Sequence, residues 1–95
     1  MIKIITVCGL GVGSSLILKM TVDQIAREIG LNCTIEHWDM GTIAGVPHDL
    51  IISSKDLKGS FPTNITKIIY VDNIIDVHEI KSKLEAFLRE KGGEN

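Results

Sequence analysis

The chain has 95 residues, 44% of them hydrophobic and 23% charged, with a formal net charge of −2 and a pI near 5.8. This length and composition predict one compact globular domain, residues 1–95, without a membrane-spanning segment of roughly 20 apolar residues. The slightly acidic balance argues against a nucleic-acid binder, which needs a basic stripe to contact phosphates.

The first predicted strand, Ile2–Val7, leads into a cysteine and a glycine-rich run. That run reads Cys8-Gly9-Leu10-Gly11-Val12-Gly13-Ser14-Ser15. Glycines let the backbone curl so that several N–H groups point at one anion. The start of the following helix adds unpaired N–H donors and a partial positive charge of about +0.5. The segment from Gly9 to Ser15 is therefore the predicted phosphate-binding loop.

Cys8 stands at the beginning of this loop, where the same field acts on its thiol. A free cysteine has a pKa of roughly 8.5, and a helix N-terminus can lower that value by a unit or more. The resulting thiolate is a nucleophile that can accept a phosphoryl group, whose oxygens would then occupy the loop. Cys8 is the predicted catalytic residue.

The first predicted helix covers Ser14–Ile29, with Ser14 or Ser15 as its N-cap and Gly30 as a left-handed C-terminal residue. Its predicted core-facing residues are Leu16, Met20, Ile25, Ala26 and Ile29. A second helix is predicted over Asp76–Lys91, with a supporting pair of Glu79 and Lys83. Its predicted core-facing residues are Val77, Ile80, Leu84, Phe87 and Leu88, and residues 92–95 are expected to fray.

Three further strands are predicted at Cys33–His37, Leu50–Ser53 and Lys67–Val71, with short helical turns near Gly41–Ala44 and Lys55–Lys58. Adjacent apolar pairs such as Ile51-Ile52 indicate strands that are buried on both faces, whereas the alternating second strand suits a sheet edge. The pattern predicts an α/β fold with a four-stranded parallel sheet of order 2-1-3-4. This is the flavodoxin-like arrangement of low-molecular-weight phosphotyrosine phosphatases, in which ligands bind at the carboxyl ends of the strands.

Three alternatives compete for the cysteine and its loop. Cys8 could be a small buried residue in a tight turn. An anion- or nucleotide-binding module is suggested by the glycine spacing and by Glu36 as a ribose-binding acid, although Ser14 replaces the last glycine of G-x-G-x-x-G. A low-molecular-weight phosphatase would carry C-x5-R-[ST], but Ser14 occupies the arginine position and no aspartate precedes a proline. A phosphate loop lacking both groups favours a carrier that resists hydrolysis.

Several segments together carry a resemblance to a known family: Val7-Cys8-Gly9, Gly13-Ser14-Ser15, Leu18-Lys19-Met20, Val22-Asp23-Gln24 and Asp49-Leu50-Ile51-Ile52-Ser53-Ser54. The chain resembles the IIB component of a bacterial sugar phosphotransferase system (PTS), in the ascorbate-type group related to the galactitol and lactose types. The resemblance implies a cytoplasmic phosphotransferase that takes a phosphoryl group from a phosphohistidine of a IIA protein onto Cys8. It further implies transfer to a sugar, with L-ascorbate expected, held by the membrane-embedded IIC component. Neither a metal nor an organic cofactor is implied.

The other chemically interesting side chains are assigned ordinary roles. Cys33 is expected to pack in the core, and both thiols are expected to be free because no leader-like segment points to secretion. His37 and Trp38 end the second strand on the functional face and could line a partner surface, although a capping histidine and a half-buried tryptophan are the preferred interpretations. Asp72 and Asn73 are predicted to form a turn. Ordinary loop or surface positions are expected for Lys19, His48 and His78. Lys55 is equally compatible with steering a phosphate and with an ordinary surface position.

Overall fold

The computed structural model describes residues 2–7, 12–38, 41, 43–62, 65 and 67–92. Its elements, in chain order, are β1 (Ile2–Val7), α1 (Val12–Ile29), β2 (Cys33–His37), β3 (Leu50–Ser54), β4 (Ile68–Val71) and α2 (Val77–Gly92). Single 3-10 turns occupy Ile43–Gly45 and Lys55–Leu57, where short helical turns are predicted. Within the described ranges, neither helix combines the length and apolar character that crossing a bilayer requires.

The four strands form one parallel sheet in the order β2-β1-β3-β4, which confirms the predicted topology. The register places Ile4 of β1 between Ile35 of β2 and Leu50 of β3. Because the strands are parallel, their carboxyl ends meet at one edge of the sheet. We call this the carboxyl edge; it is where β1 ends at Val7, β2 at His37, β3 at Ser54 and β4 at Val71.

Both faces of the sheet are buried, as the adjacent isoleucines predict. Alternate residues of β1 and β3, such as Ile4 and Ile52, pack against both helices. Their neighbours, such as Ile5 and Ile51, pack on the opposite face under the connecting segments that contain Ile43. β1 is therefore held in a central position from both sides, and its carboxyl end is fixed by the rest of the sheet.

The prediction for the core-facing side of α1 was partly wrong. Leu16 and Met20 are exposed, with 44% and 64% of their surface accessible. Leu18 and Val22 take their places in the core, together with the correctly predicted Ile25. The first half of α1 has apolar residues on every side, so its sequence does not identify which side faces the sheet.

α2 follows its predicted pattern closely. Ile80 and Leu84 are fully buried, and the other predicted residues pack against the same core cluster. Asp76 lies just before the helix, and its carboxylate Oδ1 accepts a hydrogen bond from the Glu79 N–H at 3.0 Å, as an N-cap does. The helix extends one residue beyond the prediction, to Gly92, and residues 93–95 lie outside the described residues.

Gly30 ends α1 in the left-handed conformation, with a φ of +69°, as predicted. Replacing it with alanine should lower the free energy of unfolding by about 1 kcal/mol, because a Cβ disfavours this φ. Gly45 is the matched control, since its φ is not positive and a Cβ there would also meet open space. Urea unfolding of Gly30→Ala and Gly45→Ala tests the prediction, and equal losses in both variants would contradict it.

Candidate active site at the carboxyl edge

Cys8 is bonded to Val7, the last residue of the central strand β1. Val7 is buried and lies opposite Ser53 of β3 in the sheet register. Cys8, Gly9, Leu10 and Gly11 lie outside the described residues, so their arrangement stays a prediction. The described strand β1 ends at Val7, at the carboxyl edge and beside the end of β3.

α1 begins at Val12, two residues earlier than predicted. Ser14 and Ser15 therefore belong, with Gly13, to the first helical turn and do not cap it from outside, which corrects the predicted role of the two serines. The first four N–H groups of a helix have no partner inside it, so this turn itself supplies amide donors. No acidic residue lies in the first turn, which leaves the positive end of the helix dipole uncompensated by a carboxylate.

Buried hydroxyl groups concentrate at the same edge. In the part of the chain that the structure describes, the buried polar side chains are Thr6, Ser53 and Ser54. Thr6 is the penultimate residue of β1, and the two serines end β3. The Ser53 hydroxyl donates to the carbonyl oxygen of Ser54 at 3.0 Å. Among the described core residues, polar groups thus replace apolar ones at the carboxyl edge of the sheet.

The loops after β3 and β4 are joined by charged groups at this edge. The Lys55 ammonium lies 3.6 Å from Asp72 Oδ1, in an exposed ion pair. Asp72 is in turn held by its backbone, because its N–H donates to Glu79 Oε2 at 2.6 Å, and the Asn73 N–H donates to Glu79 Oε1 at 3.1 Å. The turn predicted at Asp72-Asn73 is therefore present, and the Glu79 carboxylate of α2 holds it.

Glu79 also accepts a hydrogen bond from the Lys83 ammonium at 2.8 Å, which confirms the predicted pair; the same ammonium donates to the Tyr70 carbonyl at 2.6 Å. Desolvation of this carboxyl would by itself raise its pKa. The hydrogen bonds from Lys83, Asp72 and Asn73, together with the positive charge of Lys83, outweigh that effect and lower the pKa of Glu79 below its ordinary value.

A depressed folded-state pKa means that Glu79 contributes stability above its unfolded-state pKa and loses that contribution as the pH falls through the folded-state pKa. Glu79→Gln should lower the free energy of unfolding by about 1 kcal/mol at neutral pH. The difference from wild type should shrink as the pH falls through the folded-state pKa of Glu79, because the protonated carboxyl is uncharged like the amide that replaces it. Glu85→Gln, on the exposed side of α2, is the control. Urea titrations across this pH range measure both, and a pH-independent loss in Glu79→Gln would refute the assignment.

Cys33 lies at the start of β2, half-buried against the main core cluster, as predicted. Burial and the nearby negative charge of Asp23 raise the pKa of its thiol. A raised pKa keeps the thiol protonated at neutral pH and makes Cys33 a poor nucleophile. Cys33 is therefore not a candidate for the nucleophile.

The other side chains that the sequence offers for a binding site are either hydrogen-bonded within the protein or exposed. The Glu36 carboxylate accepts a hydrogen bond from Trp38 Nε1 at 2.9 Å and lies 3.7 Å from the Lys3 ammonium, so the carboxylate suggested for a ribose is engaged within the protein. His37 and His78 are exposed, and His48 donates from Nδ1 to the Val46 carbonyl at 2.8 Å. The described residues contain no group of three or more histidines, cysteines or carboxylates arranged to hold a metal ion.

The sequence patterns miss one feature of this end of the molecule, its exposed apolar side chains. Leu16, Ile17 and Met20 project to solvent from the first half of α1, Trp38 follows β2, and Ile75 follows β4. These are the exposed large hydrophobic residues of the described ranges, and each lies on or after an element that starts or ends at the carboxyl edge. Exposed apolar side chains mark a contact with another protein where they form a contiguous patch. In the sequence, this exposure is indicated by apolar residues on the side of α1 that faces away from the core.

Comparisons with known proteins agree with this arrangement. The family model described as the PTS lactose/cellobiose-specific IIB subunit matches residues 3–86. A Mycoplasma pneumoniae protein named ascorbate-specific PTS system EIIB component is 39% identical over 90 residues, which cover 92% of this chain and 95% of that protein. A protein of the same name from Escherichia coli O157:H7 is 30% identical over 94 residues, 94% of this chain and 91% of its own. The chain therefore belongs to the family of lactose/cellobiose-type IIB subunits of the phosphotransferase system.

Proposed function

We propose that this IIB protein carries a phosphoryl group on Cys8, between a IIA donor and a sugar acceptor. The observation that supports this most directly is the location of Cys8, bonded to the buried end of β1 and four residues before the first turn of α1. The names of the relatives favour L-ascorbate as the acceptor, held by a membrane-embedded IIC component. A IIB protein in this relay works on the cytoplasmic side of the membrane.

The relay consists of two transfers through one sulfur atom. The Cys8 thiolate attacks the phosphorus of a phosphohistidine on IIA; an S–P bond forms, the N–P bond breaks, and its electron pair returns to the imidazole. In the second transfer a hydroxyl oxygen of the sugar attacks the same phosphorus and loses its proton. The S–P bond then breaks and the thiolate is regenerated. Positioning and charge stabilisation contribute most to such transfers.

The first turn of α1 supplies the electrostatic part of this mechanism. Its free N–H groups and the helix dipole favour the thiolate before transfer and the phosphoryl oxygens after it. The absence of acidic residues from this turn keeps a competing negative charge away. Val12, Gly13, Ser14 and Ser15 contribute their backbone donors from the helix, and Gly9, Leu10 and Gly11 are proposed to complete the loop.

A carrier must also keep water from removing its phosphoryl group. Hydrolysis needs a general acid, and three described aspartates near the strand ends are engaged elsewhere. Asp49 Oδ2 accepts a hydrogen bond from the Lys3 N–H at 2.8 Å, Asp72 pairs with Lys55, and Asp76 caps α2. Ser14 stands where a phosphatase has its arginine.

The protein should therefore not turn over an aryl phosphate. With p-nitrophenyl phosphate, the rate of product formation in the presence of wild-type protein should equal that of a Cys8→Ser variant. A steady release of nitrophenol that depends on Cys8 would instead favour the phosphatase alternative.

The apolar residues around the site suit brief contacts with partner proteins. Leu16, Ile17 and Met20 follow directly on the residues that are proposed to bind phosphate, so a donor that reaches Cys8 would cover them. Interfaces of this transient kind are small and release quickly. A relay needs such release twice in each cycle, once from IIA and once from IIC.

Reconstitution of the relay tests the proposal. The mixture contains this protein, IIA of an ascorbate-specific system that carries a labelled phosphoryl group, and vesicles with the IIC of the same system. Ascorbate or galactitol is added as the acceptor. We expect label to move through the protein to ascorbate, and omission of the protein should stop the transfer. Transfer to galactitol instead would leave the carrier role intact and overturn the substrate, whereas failure of the protein to accept label would overturn the function.

A further inference from the structure

β4 lies at one edge of the sheet, and half of its backbone groups face away from β3. The Ile51 N–H donates to the carbonyl oxygen of Lys67 at 2.9 Å, and Ile51 lies opposite Ile68 in the register. In a parallel pair the residues that bond to the neighbouring strand alternate, so Ile69 also points to β3. The N–H and C=O groups of Ile68 and Tyr70 therefore point outward, to a side on which no strand of the described residues pairs with β4.

The composition of β4 suits this edge to pairing with another strand. It reads Ile68-Ile69-Tyr70-Val71, which are β-branched or aromatic residues without a charge, a proline or a glycine. The outward N–H and C=O groups of such an edge are a template for a strand of another molecule. A groove of about 530 Å³ lies beside the strand, between β4 and Ala86, Phe87 and Glu90 of α2, and leaves space for side chains of an added strand.

Two side chains of α2 lie across the carboxyl-terminal half of this edge. The Lys83 ammonium donates to the outward carbonyl oxygen of Tyr70 at 2.6 Å. The Glu79 carboxylate accepts a hydrogen bond at 2.6 Å from the N–H of Asp72, which is the next outward position after Tyr70. The two side chains also bond to each other at 2.8 Å. They thus occupy backbone groups that a strand added to β4 would need.

Displacing this pair is costly because Glu79 is enclosed. The Glu79 side chain is only 15% exposed, whereas that of Lys83 is 41% exposed. A strand that pairs with β4 must break the bonds of both side chains and leave the Glu79 carboxylate without donors in a partly buried place. Hydrogen bonds to charged groups are among the stronger ones in proteins, and an unsatisfied charged group is penalised further.

We infer that Glu79 and Lys83 close the β4 edge and so prevent this chain from pairing with a second copy of itself. The second copy is the expected occupant because the edge is complementary to itself in an antiparallel pair. Lys67 precedes the strand and Asp72 follows it, so opposite charges of the two copies would approach each other at both ends. The inference does not depend on the proposed function, since none of these residues is assigned a part in phosphoryl transfer.

Lys83→Met tests the inference, because methionine keeps a long unbranched side chain but has no donor for the Tyr70 carbonyl. Lys81→Met is the matched control: it removes the same charge from the same helix, and Lys81 makes no hydrogen bond or ion pair with a described residue. Sedimentation velocity over a range of protein concentrations measures self-association. We expect the dimer dissociation constant of Lys83→Met to be lower than that of Lys81→Met by about 10-fold or more.

Hydrogen exchange followed by NMR locates the contact. In Lys83→Met the Ile68 and Tyr70 N–H groups should become protected as the protein concentration rises, whereas in Lys81→Met their exchange should not depend on concentration. The Ile69 N–H, which points to β3, should be protected in both variants and reports that the sheet is folded.

Lys83→Ala, compared with Lys81→Ala, should give the same result with a replacement that favours the helix, which separates the lost donor from any local effect of methionine. Equal association of the Lys83 and Lys81 variants would overturn the inference. Association that leaves the Ile68 and Tyr70 N–H groups unprotected would overturn it as well, because the contact would then lie elsewhere.

Discussion

Cys8→Ser is expected to abolish the acceptance of a phosphoryl group from phosphorylated IIA, with a loss of at least about 1,000-fold in rate. A serine hydroxyl stays protonated at neutral pH, and the first turn of α1 cannot lower its pKa enough to produce an alkoxide. The two side chains differ by a single atom, so the unfolding midpoint should stay close to that of wild type. The rate is measured in a single turnover with isotopically labelled IIA.

Cys33→Ser is the matched control, because it makes the same chemical change at the second thiol. Cys33 is half-buried and its pKa is raised, so it is a poor nucleophile in the wild type. This variant should accept phosphate at the wild-type rate. If Cys8→Ser also took up label at that rate, Cys8 could not be the acceptor.

Ile52→Ala is expected to lower the free energy of unfolding by about 2–5 kcal/mol, because it leaves a cavity in the main core cluster. Ile52 is fully buried in β3, with Thr6 of β1 on one side and Ile69 of β4 on the other. A domain of this size has a total stability of roughly 5–15 kcal/mol, so the variant would lose a large part of it.

Ile75→Ala provides the comparison, since it deletes the same atoms from a side chain that is 63% exposed. Its free energy of unfolding should stay within about 0.5 kcal/mol of wild type. Urea unfolding followed by circular dichroism gives both values. A small effect at Ile52, or equal effects at the two positions, would contradict the packing described for β3.

The sheet could be predicted from the sequence because its strands carry an unambiguous pattern. Pairs such as Ile4-Ile5 and Ile51-Ile52 are compatible with burial on both faces and with little else. Order 2-1-3-4 then follows from the alternation of strands with helices or short crossovers, and from the more polar second strand, which suits an edge. Two observed strand ends differ from the predicted ones by one residue: β3 extends to Ser54, and β4 begins at Ile68.

The orientation of α1 could not be predicted in the same way. Leu16, Ile17, Leu18 and Met20 give its first half an apolar residue on almost every side, so helical periodicity allows more than one core-facing side. The choice is made by tertiary packing, which buries Leu18 and leaves the others at the surface. The predicted start of α1, Ser14, was also wrong. Serines are common N-caps, but here Gly13 and Ser14 lie inside a helix that begins at Val12.

The candidate site was predictable as far as its chemistry is local. A cysteine directly after a buried strand and before a glycine-rich segment points to an anion-binding loop without knowledge of the fold. The concentration of buried hydroxyl groups at the carboxyl edge could not be seen in the same way, because it depends on the register between β1 and β3. The hydrogen bonds from the Asp72 and Asn73 N–H groups to Glu79 also join residues that are distant in sequence. The pairing of Glu79 with Lys83 does follow from helical spacing.

The central claim is that the sulfur of Cys8 carries the phosphoryl group. The most direct measurement is to treat the protein with labelled phosphorylated IIA, quench it under conditions that preserve thiophosphate esters, and locate the added phosphate by tandem mass spectrometry. The account predicts one phosphate per chain, on the peptide that contains Cys8 and bonded to its sulfur. Phosphate on a histidine, on a serine of the loop or on Cys33 would contradict it.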